Sequence, residues 1–181
     1  MASGEAPVEI VAYDEAWPGA FEEERRKLLG TIGPWLAGPV EHIGSTAVPG
    51  LAAKPVVDIM AGVASLEASR PALTLLAGLD YCYFPYRPDS EHWFCKPSPF
   101  FRTHHLHLVP FGSAQWVGAI AFRDYLRTHP ETATEYQELK KRLAKEFYFD
   151  REAYTQAKAP FVTRITEMAL KDARSPDERS R

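Results

Sequence analysis

The run Pro55–Val63, PVVDIMAGV, constrains this chain more than any other, because it is the most apolar strand-like segment and carries one charge, Asp58, in its middle. A carboxylate in such a strand is expensive unless something neutralises it. Two resolutions are open on this residue alone. Asp58 is paired with an arginine or capped by backbone amides, or it serves as a metal ligand or general base. Structural ion pairs perturb carboxylates too, so the two stand level.

The loop before it tips the balance. Gly44-Ser45-Thr46 follows a short strand, Val40–Ile43, and Lys54 closes the same loop four residues before Asp58. Gly44 removes a side chain where a ligand would approach. Ser45 and Thr46 offer hydroxyls, and successive amides in such a turn form an anion nest. Lysine, serine and threonine around a glycine turn suit phosphate oxygens; the alternative is a tight turn with a surface lysine. This is not a P-loop, since GxxxxGK[ST] is absent.

A second cluster is Thr103–Leu108, THHLHL. Strand alternation puts His105 and His107 on one face and His104, Leu106 and Leu108 on the other. Paired histidines are common metal ligands, so His105 and His107 are read as functional, and His104 as a hydrogen-bonded core or loop residue. Arg102 precedes the strand and is a candidate for an anionic tail, or a surface ion-pairing arginine. Tyr154 and Lys158, at i and i+4, share a helical face. Spacing alone favours a packing tyrosine beside a solvated lysine; Lys158 is retained as a phosphate candidate. Arg123 and Arg127 read as surface charge, and Trp17, Phe21, Trp116 and Phe122 as core.

The remaining elements follow from periodicity and punctuation. Val8–Ala12 reads as a short strand. Asp14 caps a helix over Ala16–Leu36, ended at Gly33-Pro34. A helix spans Leu66–Leu79; strands cover Tyr81–Tyr86, His92–Lys96 and Thr103–Pro110. Beyond Ser113 the pattern is helical, over Trp116–Arg127, Thr132–Phe147 and Arg151–Leu170, with a bend at Pro160. Strands precede residue 110 and helices follow it. That order predicts an α+β fold, a mixed sheet flanked by helices with a helical C-terminal part. One domain is expected over residues 8–170, with loose ends at 1–7 and 171–181, since 181 residues build one real core.

Charge narrows the partners. With 21 Lys and Arg against 24 Asp and Glu, interspersed, the net charge is -3. Binding to bulk duplex nucleic acid is not expected, because it rests on many phosphate contacts. Cys82 and Cys95 match no zinc motif and read as thiols of a reducing cytoplasm. No signal-peptide pattern and no membrane-length apolar run is present, so a soluble cytoplasmic protein is expected.

Several runs together resemble the GrpB family: YDEAWPGAFEEE, HIGSTAVPGLAAKPVVDI, RTHHLHLV, FRDYLRTHPE and YTQAKAPF, covering about Tyr13 to Ala169. That family is grouped with the nucleotidyltransferase superfamily, whose members carry a GS turn followed by an acidic strand. The resemblance implies a small mixed sheet, a nucleotide, and a divalent metal. Active superfamily members usually carry two acids one residue apart and a third on a neighbouring strand. Here Met60 stands where the second acid would, and His105 or His107 stands at the neighbouring-strand position. One Asp and two His suit a single cation, Mg²⁺ or Mn²⁺ or the softer Zn²⁺, or a phosphorylated ligand with no metal.

Three functions follow. The first is a nucleotidyltransferase-like enzyme acting on a nucleotide or phosphorylated small molecule. In it Gly44, Ser45, Thr46, Lys54, Arg102 and Lys158 hold phosphates, and Asp58, His105 and His107 hold metal or move a proton. The second is a non-catalytic nucleotide- or coenzyme-binding module, since GrpB-like domains also occur fused to dephospho-coenzyme A kinase. The third is a transferase using a charged tRNA. A carboxylate folded close to Asp58, from Glu41 or Glu91, would favour the enzyme.

Overall fold

The computed structural model describes residues 6–174. In chain order the elements are α1 (Trp17–Ile32), β1 (Leu36–Ile43), β2 (Val57–Val63), α2 (Arg70–Ala77), β3 (Cys82–Phe84), β4 (His92–Pro97), β5 (Arg102–Pro110), α3 (Ala114–Thr128), α4 (Pro130–Glu146) and α5 (Arg151–Arg174). The five strands form one sheet in the order β1-β2-β5-β4-β3. The central pair β2·β5 is parallel, and the other pairs are antiparallel. This is an α+β mixed sheet flanked by helices, with a helical C-terminal part.

Local chemistry sets the boundaries. Pro18 sits in the first turn of α1, where its missing N–H costs nothing. Asp14 helps the entry by accepting from the Ala16 amide at 2.8 Å. Gly33-Pro34 ends the helix in a short 3-10 turn, Gly33–Trp35, and β1 begins directly after it, four residues earlier than the apolar pattern predicts. The strand expected at Val8–Ala12 does not form. Val11 makes one bridge to Ala53, while the Val8 amide reaches the Tyr148 carbonyl, so no ladder can propagate. Pro160 lies inside α5, which stays continuous through Arg174. The expected loose ends 1–7 and 171–181 fall largely outside the described residues.

Register decides which face each residue serves, because paired residues point to the same side. Val57, Ile59, Ala61 and Val63 share a face with Leu106, Leu108 and Phe94, and pack under Phe21, Leu28 and Ile32 of α1 and Leu76 of α2. His104 lies on this face, its Nδ1 2.9 Å from Thr103 Oγ1. The same side buries an ion pair, Lys96 Nζ to Glu24 Oε1 at 2.7 Å. The opposite face carries Asp58, Met60, His105 and His107. At its β1 end Ile43, Met60, Val109 and Trp116 close into a second apolar cluster. The C-terminal helices grip the loop after β1: Val48 and Leu51 pack with Phe122, Leu126, Tyr136, Phe161 and Ile165. That clamp sets the loop over the polar half of the face. Trp17, Phe21, Trp116 and Phe122 are all core. Arg123 is not surface charge: it is buried, and binds Glu41, Asp124 and the His42 carbonyl. Among the described residues no helix is long and apolar enough to cross a membrane.

Candidate functional site

The site begins at Gly44, with φ 70° and ψ -167°, a region essentially restricted to glycine. A Cβ there would stand 2.6 Å from Asp58 Oδ2. Glycine therefore does two things at once: it turns the chain sharply out of β1, and it lets the turn Ser45–Ala47 lie against the Asp58 carboxylate.

Parallel pairing sets Asp58 beside His105 and Met60 beside His107. His105 Nδ1 donates to Asp58 Oδ1 at 2.8 Å. His107 Nδ1 lies 2.6 Å from Glu91 Oε2, which also accepts from Gln115 Nε2 at 3.0 Å. Each imidazole is thus aimed by its own carboxylate. Burial alone would raise the Asp58 carboxyl. The His105 hydrogen bond and the charges of His105, His107 and Lys54 outweigh it and hold the group at about 2. Burial lowers His105 more than Asp58 raises it, which disfavours the charged ring. Its Nε2 is buried and has no hydrogen-bond partner among the described residues. For Glu91 burial again opposes ionisation, and the His107 hydrogen bond lowers it.

Facing Asp58 are three lysines from three parts of the chain. Lys54 comes from the loop, Lys140 from α4 and Lys158 from α5. Lys140 is 2% exposed; its Nζ lies 2.9 Å from Ser45 Oγ and donates to the Ala52 carbonyl. Lys54 and Lys158 are half-buried, with ammonium groups 5.1 Å and 4.5 Å from the Tyr154 ring centroid. Burial first, then the charge of Lys158, push Lys54 and Lys140 down to about 7, and burial pushes Lys158 to about 8, in spite of Asp58. One carboxylate cannot neutralise three ammonium groups that water reaches poorly.

These residues line one cavity of about 900 Å³. Six Lys and Arg side chains face it against four carboxylates, so its balance is cationic in a chain of net charge -3. Trp93 and Tyr86, with ring centroids 5.5 Å apart, form an aromatic side, and Phe149 also lines the cavity. Arg102 lies over the Trp93 ring at 5.5 Å.

Ser45, Thr46, Lys54, Asp58, Arg102, His105, His107 and Lys158 all line this cavity, and Gly44 supports it from behind. Glu91 joins them through His107, whereas Glu41 pairs with Arg123 beside a second cavity of about 500 Å³. Met60, where a second acid would stand, is 2% exposed in the cluster with Trp116, so that position belongs to the core. Among the described residues no three His, Cys, Asp or Glu side chains are arranged to share a metal ion. His105 and His107 give their Nδ1 atoms to different carboxylates, Asp58 and Glu91. Lys140 and Trp93 do not stand out in the sequence, yet Lys140 carries a usable signal. Tyr136 and Lys140 repeat the i, i+4 spacing of Tyr154 and Lys158, and Lys140 Nζ lies 4.8 Å from the Tyr136 ring centroid.

Comparison with known proteins gives four findings. A family model described as GrpB protein matches residues 7–168. A UPF0157 protein of Pseudomonas aeruginosa is 38% identical over 174 residues, covering 93% of this chain and 70% of that one. A dephospho-CoA kinase of Mycolicibacterium paratuberculosis is 27% identical over 187 residues, with 86% of this chain and 44% of that protein covered. Among solved structures, the conserved protein GrpB from Enterococcus faecalis is similar with a TM-score of 0.83 and 35% identity, covering 91% of this chain and 99% of that one.

Proposed function

This chain belongs to the GrpB family, and from that premise we propose that its cavity binds a nucleotide or phosphorylated coenzyme and transfers a group through phosphorus. The observation that carries the reading is the convergence of Lys54, Lys140 and Lys158 on one wall, with Asp58 as their shared counter-charge. Unpaired ammonium groups in a poorly hydrated wall are costly. A polyanion supplies the missing charge, and lysine is a common point-charge ligand for phosphate. The aromatic side offers faces for a base. The similarity to a dephospho-CoA kinase supports a coenzyme among the candidate ligands.

In this reading Ser45, Thr46, Lys54 and Lys158 hold phosphate oxygens, with Arg102 on the aromatic side. Asp58 holds His105 on the cavity wall through the Nδ1 hydrogen bond. A divalent cation is part of the proposal as a companion of the phosphates. Asp58 would be its protein ligand, as in magnesium sites built from a carboxylate and substrate oxygens. One observation favours a binding module without turnover instead: Met60 is core, so no second carboxylate stands two residues along β2.

The test is a thermal-shift screen of nucleoside phosphates, coenzyme A, dephospho-coenzyme A and inorganic triphosphate, each with and without Mg²⁺, Mn²⁺ and Zn²⁺. A ligand that binds only the native state raises the melting temperature by mass action. At least one phosphorylated compound is expected to do so, and Lys54→Met with Lys158→Met to abolish the rise. No rise with any compound, or a rise that survives both substitutions, removes the reading. Binding without loss of triphosphate in a parallel turnover assay selects the module.

A further inference from the structure

We propose that Ser45 and Lys140 form a nucleophile–base dyad, in which Ser45 Oγ takes up a phosphorus-bound group from an activated ligand and passes it to an acceptor. The proposal rests on the phosphoryl-ligand reading of the cavity and adds a covalent step to it. Its geometry is local. Lys140 Nζ, brought from α4, stands 2.9 Å from Ser45 Oγ across 95 residues of sequence. Exposure is divided as such a pair requires. The lysine is 2% exposed, whereas Ser45 is half-buried and lines the cavity. The base is therefore shielded and the nucleophile reachable.

The other contacts of Lys140 orient it. A neutral amine has two N–H donors and one lone pair. Lys140 Nζ donates to Ser45 Oγ and to the Ala52 carbonyl; once the amine is neutral, the Ala52 carbonyl keeps one N–H and the lone pair becomes available to the Ser45 hydroxyl. Tyr136 of the same helix lies beneath the amine at 4.8 Å. The charged groups around it are Lys54 of the loop, Lys158 of α5 and Asp58 of β2. Burial first, then the two lysines, favour the neutral form, and Asp58 opposes them; the balance falls at about 7. A base of that strength operates near neutrality, where general-base catalysis is most effective. A lysine beside a serine is an established way to activate a hydroxyl on other folds.

The step balances as follows. Oγ attacks phosphorus, the P–Oγ bond forms, and the P–O bond to the leaving phosphate or pyrophosphate breaks with its electron pair. The Oγ proton goes to Lys140 Nζ and from there to the leaving oxygen. In the second half an acceptor hydroxyl attacks the same phosphorus, its proton passes through Lys140 to Oγ, and the P–Oγ bond breaks. Phosphorus keeps its oxidation state throughout.

The experiment uses an alkyl fluorophosphonate, in which P–F replaces the scissile bond and fluoride leaves. The full chain is labelled from about pH 5.5 to about pH 9, and the adduct is mapped by peptide mass spectrometry. Expected is an adduct on Ser45, absent from Ser45→Ala. Its rate should rise about tenfold per pH unit below about 7 and level off above, as lysine becomes neutral. Lys140→Arg keeps the charge but cannot act as base, and should label at least about 100-fold more slowly. The wild-type pH profile carries the same test without any substitution, so misfolding of a variant cannot shield the idea. An adduct on another residue, a flat profile, or Lys140→Arg labelling at the wild-type rate overturns the dyad. No adduct on protein whose melting temperature rises with inorganic triphosphate overturns the dyad and leaves the binding reading standing. An adduct without any triphosphate response does the reverse.

Discussion

Replacing Lys54 by methionine should make the protein more stable and less able to bind anions. Lys54 ionises at about 7 rather than its ordinary 10.5, because burial and Lys158 disfavour the charge more than Asp58 supports it. Moving a proton equilibrium that far corresponds to about 5 kcal/mol, as an upper bound. Lys54 is only half-buried and its cavity admits water, so screening reduces the figure to about 2 kcal/mol. The cation–π contact with Tyr154 that methionine forfeits is worth about 0.5–1 kcal/mol, which is smaller. The sign follows from linkage. The folded pKa lies below the unfolded one, so the unfolded chain binds more protons between about 7 and 10.5, and stability rises with pH there. The cost of Lys54 is complete below about pH 7 and vanishes near 10.5. Lys54→Met should therefore melt about 4–8 °C above wild type at neutral pH. The gap should close steadily as the pH is raised through 8, 9 and 10, and inorganic triphosphate should stabilise wild type far more than the variant. Melts monitored by circular dichroism across that range decide it. A variant less stable than wild type at neutral pH, or a gap that ignores pH, would refute the argument that Lys54 is an uncompensated charge.

Gly44→Ala should cost about 1–3 kcal/mol in urea denaturation, since its Cβ would meet Asp58 Oδ2 at 2.6 Å in a backbone conformation that alanine avoids; a neutral effect would mean the turn relaxes freely. Asp58→Asn separates its two roles in calorimetric titration: if it holds a cation, nucleotide affinity falls and Mg²⁺ dependence disappears, and if it only offsets the lysines, affinity for inorganic triphosphate rises. No change in either would remove Asp58 from the site. Trp93→Ala should weaken a nucleoside triphosphate about tenfold, the scale of one aromatic stacking contact, while leaving inorganic triphosphate unchanged; equal losses for both would show that Trp93 supports the cavity rather than a base. Glu24→Gln leaves the half-buried Lys96 beside a neutral amide on the other face of the sheet, and should cost about 3 kcal/mol of stability without altering ligand affinity.

The sequence by itself determined the elements that obey short-range rules. The apolar run around Asp58, the glycine turn before it and the alternation of His105 against His104 are all period-two or nearest-neighbour facts, and they place those side chains on a strand face without any knowledge of the fold. The GrpB resemblance rests on runs that can be read in order along the chain. Only the tertiary structure decided what those residues meet. Which strands lie side by side is a matter of topology: the parallel pairing of β2 with β5 sets Asp58 against His105, and the antiparallel pairing of β4 with β5 hands His107 to Glu91. Met60 shows the same limit from the other side: its place two residues after Asp58 suggests a site position, but α3 covers it with Trp116 and makes it core. Lys140 is the clearest case. Helical periodicity distributes charge around α4 but cannot say which part of its polar surface another segment will cover. Packing of Val48 and Leu51 against α3–α5 draws the loop over the helix and buries the lysine against Ser45. A buried charge is defined by desolvation and by partners nearly a hundred residues away, and neither is a property of any window of sequence.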